Sequence, residues 1–187
     1  LITSQLPSIH LNFVLTPFHA SSLVRQINGS VTRDGSCLNL QYQFSGTSSI
    51  LLNEPVDFPE RRDRLWESTC FECFIGLSSA DRYLECNLSS AGHWQAYEFE
   101  GYRTIAHTSK DFRVSGDYRR QTPDNNIVRC SVDINHPDFV TEDWHISPAV
   151  ILKEIDGPLQ YFAASHPDNK PDFHLASQRT LILPCVR

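Results

Sequence analysis

Residues 61–74 form a stretch in which charged and aromatic residues lead into an apolar segment. Trp66 can serve as a stacking platform, because an aromatic face packs well on the apolar C–H face of a sugar ring or on a base. The alternative is that Trp66 only closes one end of the core, since tryptophan is buried on average. Glu72 lies between Phe71 and Cys73. A carboxylate in such an apolar segment needs a partner or a polar cavity.

The segment 83–88 carries a row of hydrogen-bonding groups. In an extended strand, alternation places Tyr83, Glu85 and Asn87 on one face and the apolar residues between them on the other. If this strand pairs beside the strand of Glu72, two carboxylates and an amide line one face. An ordinary solvated strand face is the alternative. Glu72 and Glu85 also suit acid/base catalysis of glycoside hydrolysis, but nothing in the sequence fixes their separation.

Two later stretches add aromatic, cationic and acidic groups. The next strand and its exit contribute Trp94, Tyr97, Tyr102 and Arg103. The segment 165–174 is held by two prolines and carries His166, Lys170, Asp172 and His174. Rigid polar loops on a scaffold often carry binding sites, although such residues can also simply satisfy backbone turns. We therefore treat this segment as a candidate binding loop.

The spacing of the Cys, His, Asp and Gly residues gives little support for a metal or phosphate site. Cys70 and Cys73 match a Cys-x-x-Cys pattern, but residues three apart on a strand point to opposite faces, so both are predicted core cysteines. None of the eight histidines is paired at helical spacing, and the chain has no Asp-rich calcium loop or Gly-rich phosphate loop. We predict no metal site and no cofactor, with haem or calcium as alternatives.

Composition limits the class of protein. A chain of 187 residues suits one domain, which we place over residues 1–187. The net charge of −6 disfavours nucleic acid and anionic membranes as partners. No apolar run approaches the roughly 20 residues that cross a bilayer. Because the first residues do not resemble a secretory signal, we expect the six cysteines to be reduced thiols in the cytoplasm. The oligomeric state is left open.

Short segments of alternating hydrophobicity dominate the chain and predict strands. Asp-Gly pairs at 34–35 and 156–157 predict two hairpins, and residues 70–99 predict a three-stranded meander. Residues 108–126 are polar and irregular, which predicts a long loop. About ten short strands with minimal helix predict an all-β fold, namely a two-sheet antiparallel β-sandwich of the immunoglobulin-like or jelly-roll type.

The chemistry-bearing stretches together resemble the DOMON-like proteins, which are bacterial and notably cyanobacterial relatives of the family 9 carbohydrate-binding modules. The resemblance runs in order from Arg61 to His174. Its motifs are Trp-Glu-Ser-Thr-Cys-Phe-Glu at 66–72, Tyr-Leu-Glu-Cys-Asn at 83–87, Trp-Gln-Ala-Tyr-Glu-Phe-Glu-Gly-Tyr-Arg at 94–103 and His-Pro-Asp-Asn-Lys-Pro-Asp-Phe-His at 166–174.

The resemblance implies a β-sandwich whose concave sheet holds a small ligand, either a sugar or, in other branches, haem. In the sugar-binding relatives, two aromatic rings clamp a terminal saccharide while carboxylate, amide and arginine groups bind its hydroxyls. Trp66 matches the first ring and Glu72 matches a carboxylate, whereas Trp94 or Trp144 would have to supply the second ring. The absence of methionine leaves only a bis-histidine form of haem ligation.

We therefore expect a non-catalytic module that binds a mono- or oligosaccharide on a concave sheet face. The expected ligand-binding residues are Trp66, Glu72, Glu85, Asn87, Trp94, Arg103, Lys170, Asp172 and His174. Three alternatives stay open: a haem or redox module with histidine ligands, an enzyme that acts on sugar derivatives through Glu72 and Glu85, and an interaction scaffold with an exposed apolar patch.

Overall fold

The alternating segments of the sequence fold as antiparallel strands. The computed structural model describes residues 9–20, 22–45, 48–108, 110–122, 125–167 and 169–185. Within these residues the strands are β1 (Ile9–Pro17), β2 (Ile27–Asp34), β3 (Cys37–Phe44), β4 (Cys70–Leu77), β5 (Ala80–Ser89), β6 (Trp94–Gly101), β7 (Thr104–His107), β8 (Phe112–Thr122), β9 (Asn125–Ile134), β10 (Trp144–Lys153), β11 (Leu159–Ala163) and β12 (Leu181–Leu183).

Helical structure in the described residues is short. One α-helix, α1 (Pro137–Thr141), lies between β9 and β10, and single 3₁₀ turns occupy Leu65–Glu67 and Ala176–Gln178. None of the described helices has the length and apolar character needed to cross a bilayer. The predicted hairpins at the two Asp-Gly pairs and the meander β4–β5–β6 are confirmed.

The strands pair in one continuous antiparallel path rather than in the two separate sheets that the sequence predicts. The order is β7-β6-β5-β4-β10-β11-β1-β2-β3-β9-β8, with β12 paired to β10. The physical reason is β1, which pairs with β2 over residues 9–15 and with β11 at Thr16 and Pro17. Because β8 also contacts β5 and β6, the folded sheet is nearly barrel-shaped.

The prediction of a long loop over residues 108–126 was wrong, because β8 occupies most of it. Only Phe112, Val114 and Tyr118 of this strand are buried, while most of its other side chains are solvated. A strand at the edge of a sheet is commonly polar and charged, which discourages pairing with other chains. Gly116 is required where β8 packs closely against β9 and β5, since a Cβ atom there would meet the Arg129 backbone and the Leu88 side chain.

The main core lies between the two halves of the folded sheet. Tyr42 on β3 and Phe71 on β4 face each other across it, with ring centroids 5.4 Å apart. The buried Tyr42 hydroxyl also donates a hydrogen bond of 2.7 Å to the carbonyl oxygen of Glu72. This contact ties the β4 backbone to the opposite half at the position of the candidate carboxylate.

Arg33 is an almost fully buried cation at one end of the core, with 1% of its surface exposed. Its guanidinium lies 3.7 Å from the Trp144 ring centroid and donates hydrogen bonds to backbone carbonyls, among them those of Glu142 at 2.8 Å and Leu183 at 3.2 Å. Other carbonyls come from Phe139 and Val140 of α1. Since the C-terminal end of a helix carries partial negative charge, α1 stabilises the buried cation and β2 holds α1 and β12 in place.

We expect Arg33→Ala to lower the free energy of unfolding by about 3 kcal/mol or more, because several buried carbonyls lose their donor and Trp144 loses its stacking partner. Denaturant unfolding followed by tryptophan fluorescence measures this. Arg113→Ala, at an exposed position of β8, is the matched control and should change stability by less than about 0.5 kcal/mol. Equal effects of the two substitutions would contradict the role assigned to Arg33.

Candidate functional site

A cavity of about 340 Å³ opens on the outer face of the half-sheet formed by β4, β5, β6, β10 and β11. Its volume falls within the roughly 300–1,000 Å³ that is typical of small-molecule sites. The lining residues are Trp66, Glu72, Phe74, Glu85, Tyr97, Phe99, Arg103, Ile151, Tyr161, Pro171, Phe173 and His174. The lining is thus mostly aromatic, with a few polar and charged groups placed among the rings.

Strand alternation sends the two glutamates out of the core and into this cavity. On β4, Phe71 and Cys73 belong to the main core, whereas Glu72 and Phe74 point to the other face. In the β4–β5 register, Glu72 lies opposite Asn87, and Phe74 lies opposite Glu85. The two glutamates are therefore diagonal neighbours on one face, which is the arrangement that the sequence predicted for the case in which these strands pair.

The segment before β4 covers one side of the cavity and carries Trp66. Asp63 anchors this segment, since its Oδ1 accepts hydrogen bonds from Gln95 at 2.7 Å and from the Tyr97 hydroxyl at 3.0 Å. Arg64 then adopts φ 62°, a left-handed conformation that is costly for a residue other than glycine. Trp66 follows in the 3₁₀ turn, 37% exposed, with its ring centroid 5.7 Å from that of Tyr97.

The β6–β7 turn covers a second side and carries Arg103. This residue is the second described non-glycine residue with positive φ, at 56°. Its guanidinium donates to Asp172 Oδ1 at 3.0 Å, and the Tyr102 hydroxyl donates to the other oxygen of the same carboxylate. Asp172 is 5% exposed. The ion pair therefore clamps the turn to the segment 169–174, which we call the late loop, and it engages the Arg103 guanidinium.

The late loop supplies His174, which sits deep in the site between three rings, those of Phe74, Tyr83 and Phe99. Its Nδ1 lies 2.8 Å from the Tyr83 hydroxyl, which itself accepts the Arg103 backbone N–H at 3.3 Å. This arrangement favours a proton on Nε2, which faces Glu85 Oε2 at 3.7 Å. Burial, helped by the charge of Arg103, lowers the pKa of His174 to about 4, so the ring is neutral at physiological pH.

Both glutamates are held away from water. Glu72 is 3% exposed and Glu85 is 5% exposed. Burial raises the pKa of Glu72 well above its ordinary value, and the neighbouring charge of Glu85 raises it further. Burial also raises the pKa of Glu85 to about 7, although a hydrogen bond from Asn87 and the charge of Arg103 oppose the shift. Two carboxyl groups with raised pKa values in one cavity are typical of functional sites.

Two of the buried polar atoms on the cavity side of β4 and β5 have no hydrogen-bond partner within the part of the chain that the structure describes. Asn87 is fully buried and donates through Nδ2 to Glu85 Oε1 at 2.7 Å. Among the described residues, Asn87 Oδ1 and Glu72 Oε1 find no hydrogen-bond partner. Buried polar atoms are nearly always paired in folded proteins. Of these two atoms, Glu72 Oε1 belongs to a cavity-lining residue, so it is the one that a ligand atom can satisfy.

The structure brings together most of the residues that the sequence singled out. Five of them line the cavity, namely Trp66, Glu72, Glu85, Arg103 and His174. Two others support it without lining it: Asn87 through its bond to Glu85, and Asp172 through its ion pair with Arg103.

Three expected contributors lie elsewhere. Trp94 is on the core-facing side of β6, where it packs against the main core and the Arg61 guanidinium lies 4.5 Å from its ring centroid. Lys170 is exposed and does not line the cavity, whereas the neighbouring Pro171 does. Trp144 is fully buried beneath Arg33. Neither Trp94 nor Trp144 is placed to act as the second clamping ring.

Sequence reasoning missed several apolar lining residues, which supply the rings that Trp94 and Trp144 do not. These are Phe74, Phe99, Ile151, Tyr161, Pro171 and Phe173, and they join Tyr97, which the sequence already placed near the site. Alternation along β4 and β6 carried the signal for Phe74, Tyr97 and Phe99, since each is two residues from another outward residue. No local signal identifies Ile151 or Tyr161, because β10 joins β4 through a long-range pairing that sets Ala149 opposite Glu72.

Ligands for a metal or haem are sparse here. The residues that the structure describes contain no group of three or more His, Cys, Asp or Glu side chains arranged to hold a metal ion. His174 is the one histidine among the lining residues of the described cavity, and its two ring nitrogens already face Tyr83 and Glu85. A bis-histidine haem site would need a second ligand on the same cavity.

Comparison with known proteins gives a likeness in fold. No protein-family model matches the sequence, and no curated protein matches it either. A crystal structure of a protein from Bacteroides uniformis, provisionally assigned as carbohydrate-binding, superposes with a TM-score of 0.60. The two chains share 12% sequence identity, and the match covers 88% of this chain and 83% of the other. At this identity the likeness shows a shared fold.

We expect Glu85→Gln to gain stability relative to the unmodified protein as the pH rises. The folded protein retains the Glu85 proton up to about pH 7, whereas an unfolded glutamate loses it near pH 4.5. Stability is therefore lost between these values, and the glutamine variant does not suffer this loss. The difference between pH 5 and pH 7.5 should be on the order of 2 kcal/mol.

Denaturant unfolding of both proteins at the two pH values measures this difference. His174 changes stability in the opposite sense, since its lowered pKa removes stability as the pH falls from 6.5 to about 4. That contribution is present in both proteins and largely cancels in their difference. Glu100→Gln, at an exposed position on β6, should show no such pH dependence. A pH-independent difference for Glu85→Gln would refute the assigned burial.

Proposed function

We propose that this chain is a binding module that holds a mono- or oligosaccharide in the cavity between Trp66, the glutamate pair and the late loop. The observation that carries the proposal is the combination of a largely aromatic wall with two buried carboxyl groups. One of these groups, that of Glu72, has an oxygen, Oε1, without a hydrogen-bond partner among the described residues. A sugar ring has apolar C–H faces and a rim of hydroxyl groups, so it needs both kinds of surface at once.

The groups around the cavity divide this work. Trp66 offers a partly exposed ring at the entrance, where one face of a sugar can stack. Glu72 and Glu85 can accept hydrogen bonds from hydroxyl groups, while Arg103 can donate to them. Because a hydroxyl exchanges bonds with water for bonds with protein, the net gain is small and the affinity is expected to be weak. The provisional carbohydrate assignment of the Bacteroides uniformis protein with this fold supports the same proposal.

A second candidate function is catalysis on a sugar derivative, and the raised pKa values of Glu72 and Glu85 are the observation that favours it. A carboxyl group that titrates near neutral pH can give and take a proton at physiological pH. In such an enzyme, one glutamate would act as the acid and the other as the base or nucleophile. The binding module remains the first proposal, since a carboxyl pair of raised pKa also serves ligand recognition.

We expect Trp66→Ala to weaken saccharide binding by at least about tenfold, because the stacked ring face is lost. Isothermal titration calorimetry with a panel of mono- and disaccharides measures the affinity without relying on the fluorescence of the substituted residue. Trp94→Phe is the matched control, since Trp94 lies on the opposite face of β6, and it should leave the affinity unchanged. Equal losses in both variants would contradict the placement of the ligand on Trp66.

For the catalytic alternative, we expect hydrolysis of an aryl glycoside panel to be lost in Glu85→Gln if Glu85 carries the proton. Folding of the variant is checked by circular dichroism, and Glu100→Gln serves as the control for the substitution itself. Turnover that is the same in Glu85→Gln and in the unmodified protein would eliminate this glutamate as a catalytic group. Binding without turnover on the whole panel would leave the binding module as the function.

A further inference from the structure

The acidic groups around the cavity outnumber the cations. Glu72 and Glu85 both line it, and each is at least nine-tenths buried. Arg103 is the cation among the described lining residues, but its guanidinium is engaged by Asp172 at 3.0 Å and remains half exposed. His174 faces Glu85 as a neutral ring. The described cavity therefore holds acidic groups in excess of the cations available to them.

A nearby arginine does not change this balance inside the cavity. Arg179 lies behind Tyr83, 4.6 Å from its ring centroid, and donates to the carbonyl oxygen of His174 at 3.3 Å. It is not a lining residue. The hydrogen-bonding neighbours of the glutamates are instead uncharged, namely the Asn87 amide at 2.7 Å from Glu85 and the Cys70 thiol beside Glu72.

The walls are suited to a cation as well. Six aromatic rings line the cavity in addition to the imidazole of His174, namely those of Trp66, Phe74, Tyr97, Phe99, Tyr161 and Phe173. The face of an aromatic ring attracts a cation, and aromatic cages combined with carboxylates recognise ammonium groups. A protonated amine also has three donors and no acceptor, which suits the unpartnered Glu72 Oε1.

From these observations we infer that the ligand of this cavity carries a protonated amino group, which lies between Glu72 and Glu85 and is enclosed by the aromatic walls. This inference rests on the proposed saccharide function and refines it to an amino sugar. A neutral sugar would leave two buried carboxyl groups either charged without compensation or protonated. An ammonium group replaces both costs with charge-assisted hydrogen bonds, which are stronger than neutral ones.

The direct test compares ligands that differ in this group. Calorimetric titrations are run with glucosamine, glucose, N-acetylglucosamine and choline at about pH 6.5, where the amine of glucosamine is largely protonated. EDTA is present throughout so that metal ions do not contribute. We expect glucosamine to bind at least about tenfold more tightly than glucose, and N-acetylglucosamine, whose nitrogen is uncharged, to lose that advantage.

Two further readouts separate charge from shape. Glu72→Gln keeps the size of the side chain, and we expect it to bring the ratio of glucosamine to glucose affinity close to one, whereas Glu100→Gln should leave this ratio unchanged. Binding of glucosamine should also release protons from the glutamates, which makes the observed enthalpy depend on the ionisation enthalpy of the buffer. Circular dichroism confirms that each variant is folded.

The outcomes distinguish failure of this inference from failure of the proposed function. Glucose bound as tightly as glucosamine overturns the inference and leaves a saccharide module. Choline bound while no sugar binds overturns both the saccharide and the hydrogen-bonded amino group, because choline is a cation without an N–H donor and is held by aromatic faces alone. No binding of any of the four probes by the folded protein overturns the inference and the proposed function together. Glucosamine preferred over glucose and choline, with proton release, supports the amino sugar.

Discussion

The structure depends on a strand that has no solvent face. Every residue of β4 is buried, because one side of the strand packs into the core and the other lies under the loops that build the cavity. A strand in that position is normally apolar throughout. Glu72 is thus the one carboxylic acid on this buried strand. The Tyr42 hydroxyl, from across the core, holds its backbone through a hydrogen bond to the Glu72 carbonyl oxygen. The neighbouring strand repeats the pattern with Glu85, so the acidic floor of the site is part of the framework itself.

The loops above that floor are held by polar contacts and not by a second core. Asp63 ties the Trp66 segment to β6, and Asp172 ties the late loop to the β6–β7 turn. Two arginines in left-handed conformations, Arg64 and Arg103, lie in these covering segments. Such conformations persist only where the surroundings over-determine them, and they cluster at binding sites. The precision of the site therefore comes from side-chain hydrogen bonds at its rim.

Sequence alone could predict the parts of this fold that rest on local rules. Alternation identified the meander β4–β6 and placed Glu72, Glu85 and Asn87 on one face, and Asp-Gly pairs identified two hairpins. Local patterns could not reveal β8, because its many polar residues resemble those of a loop. They also could not reveal that β1 joins the two halves of the sheet by pairing with both β2 and β11. Trp94 was misplaced although alternation carried the information, since Trp94 is three residues from Tyr97 and therefore lies on the opposite face of β6. Ile151 and Tyr161 reach the site only through long-range pairing, which no local pattern encodes.

The pairing of β1 with two halves has a consequence for the order of events in folding. Ile9–Leu15 can form a ladder with β2 as soon as the next few dozen residues exist, but Thr16 must find Ala163. Contacts between residues so far apart in the chain form slowly, since the entropy of closing the intervening loop is lost before the contact stabilises anything. During synthesis, the end of β1 consequently presents unpaired backbone groups until β11 has left the ribosome. The seam that makes the sheet continuous therefore closes late, and until it closes the end of β1 is open to pairing with a neighbouring chain.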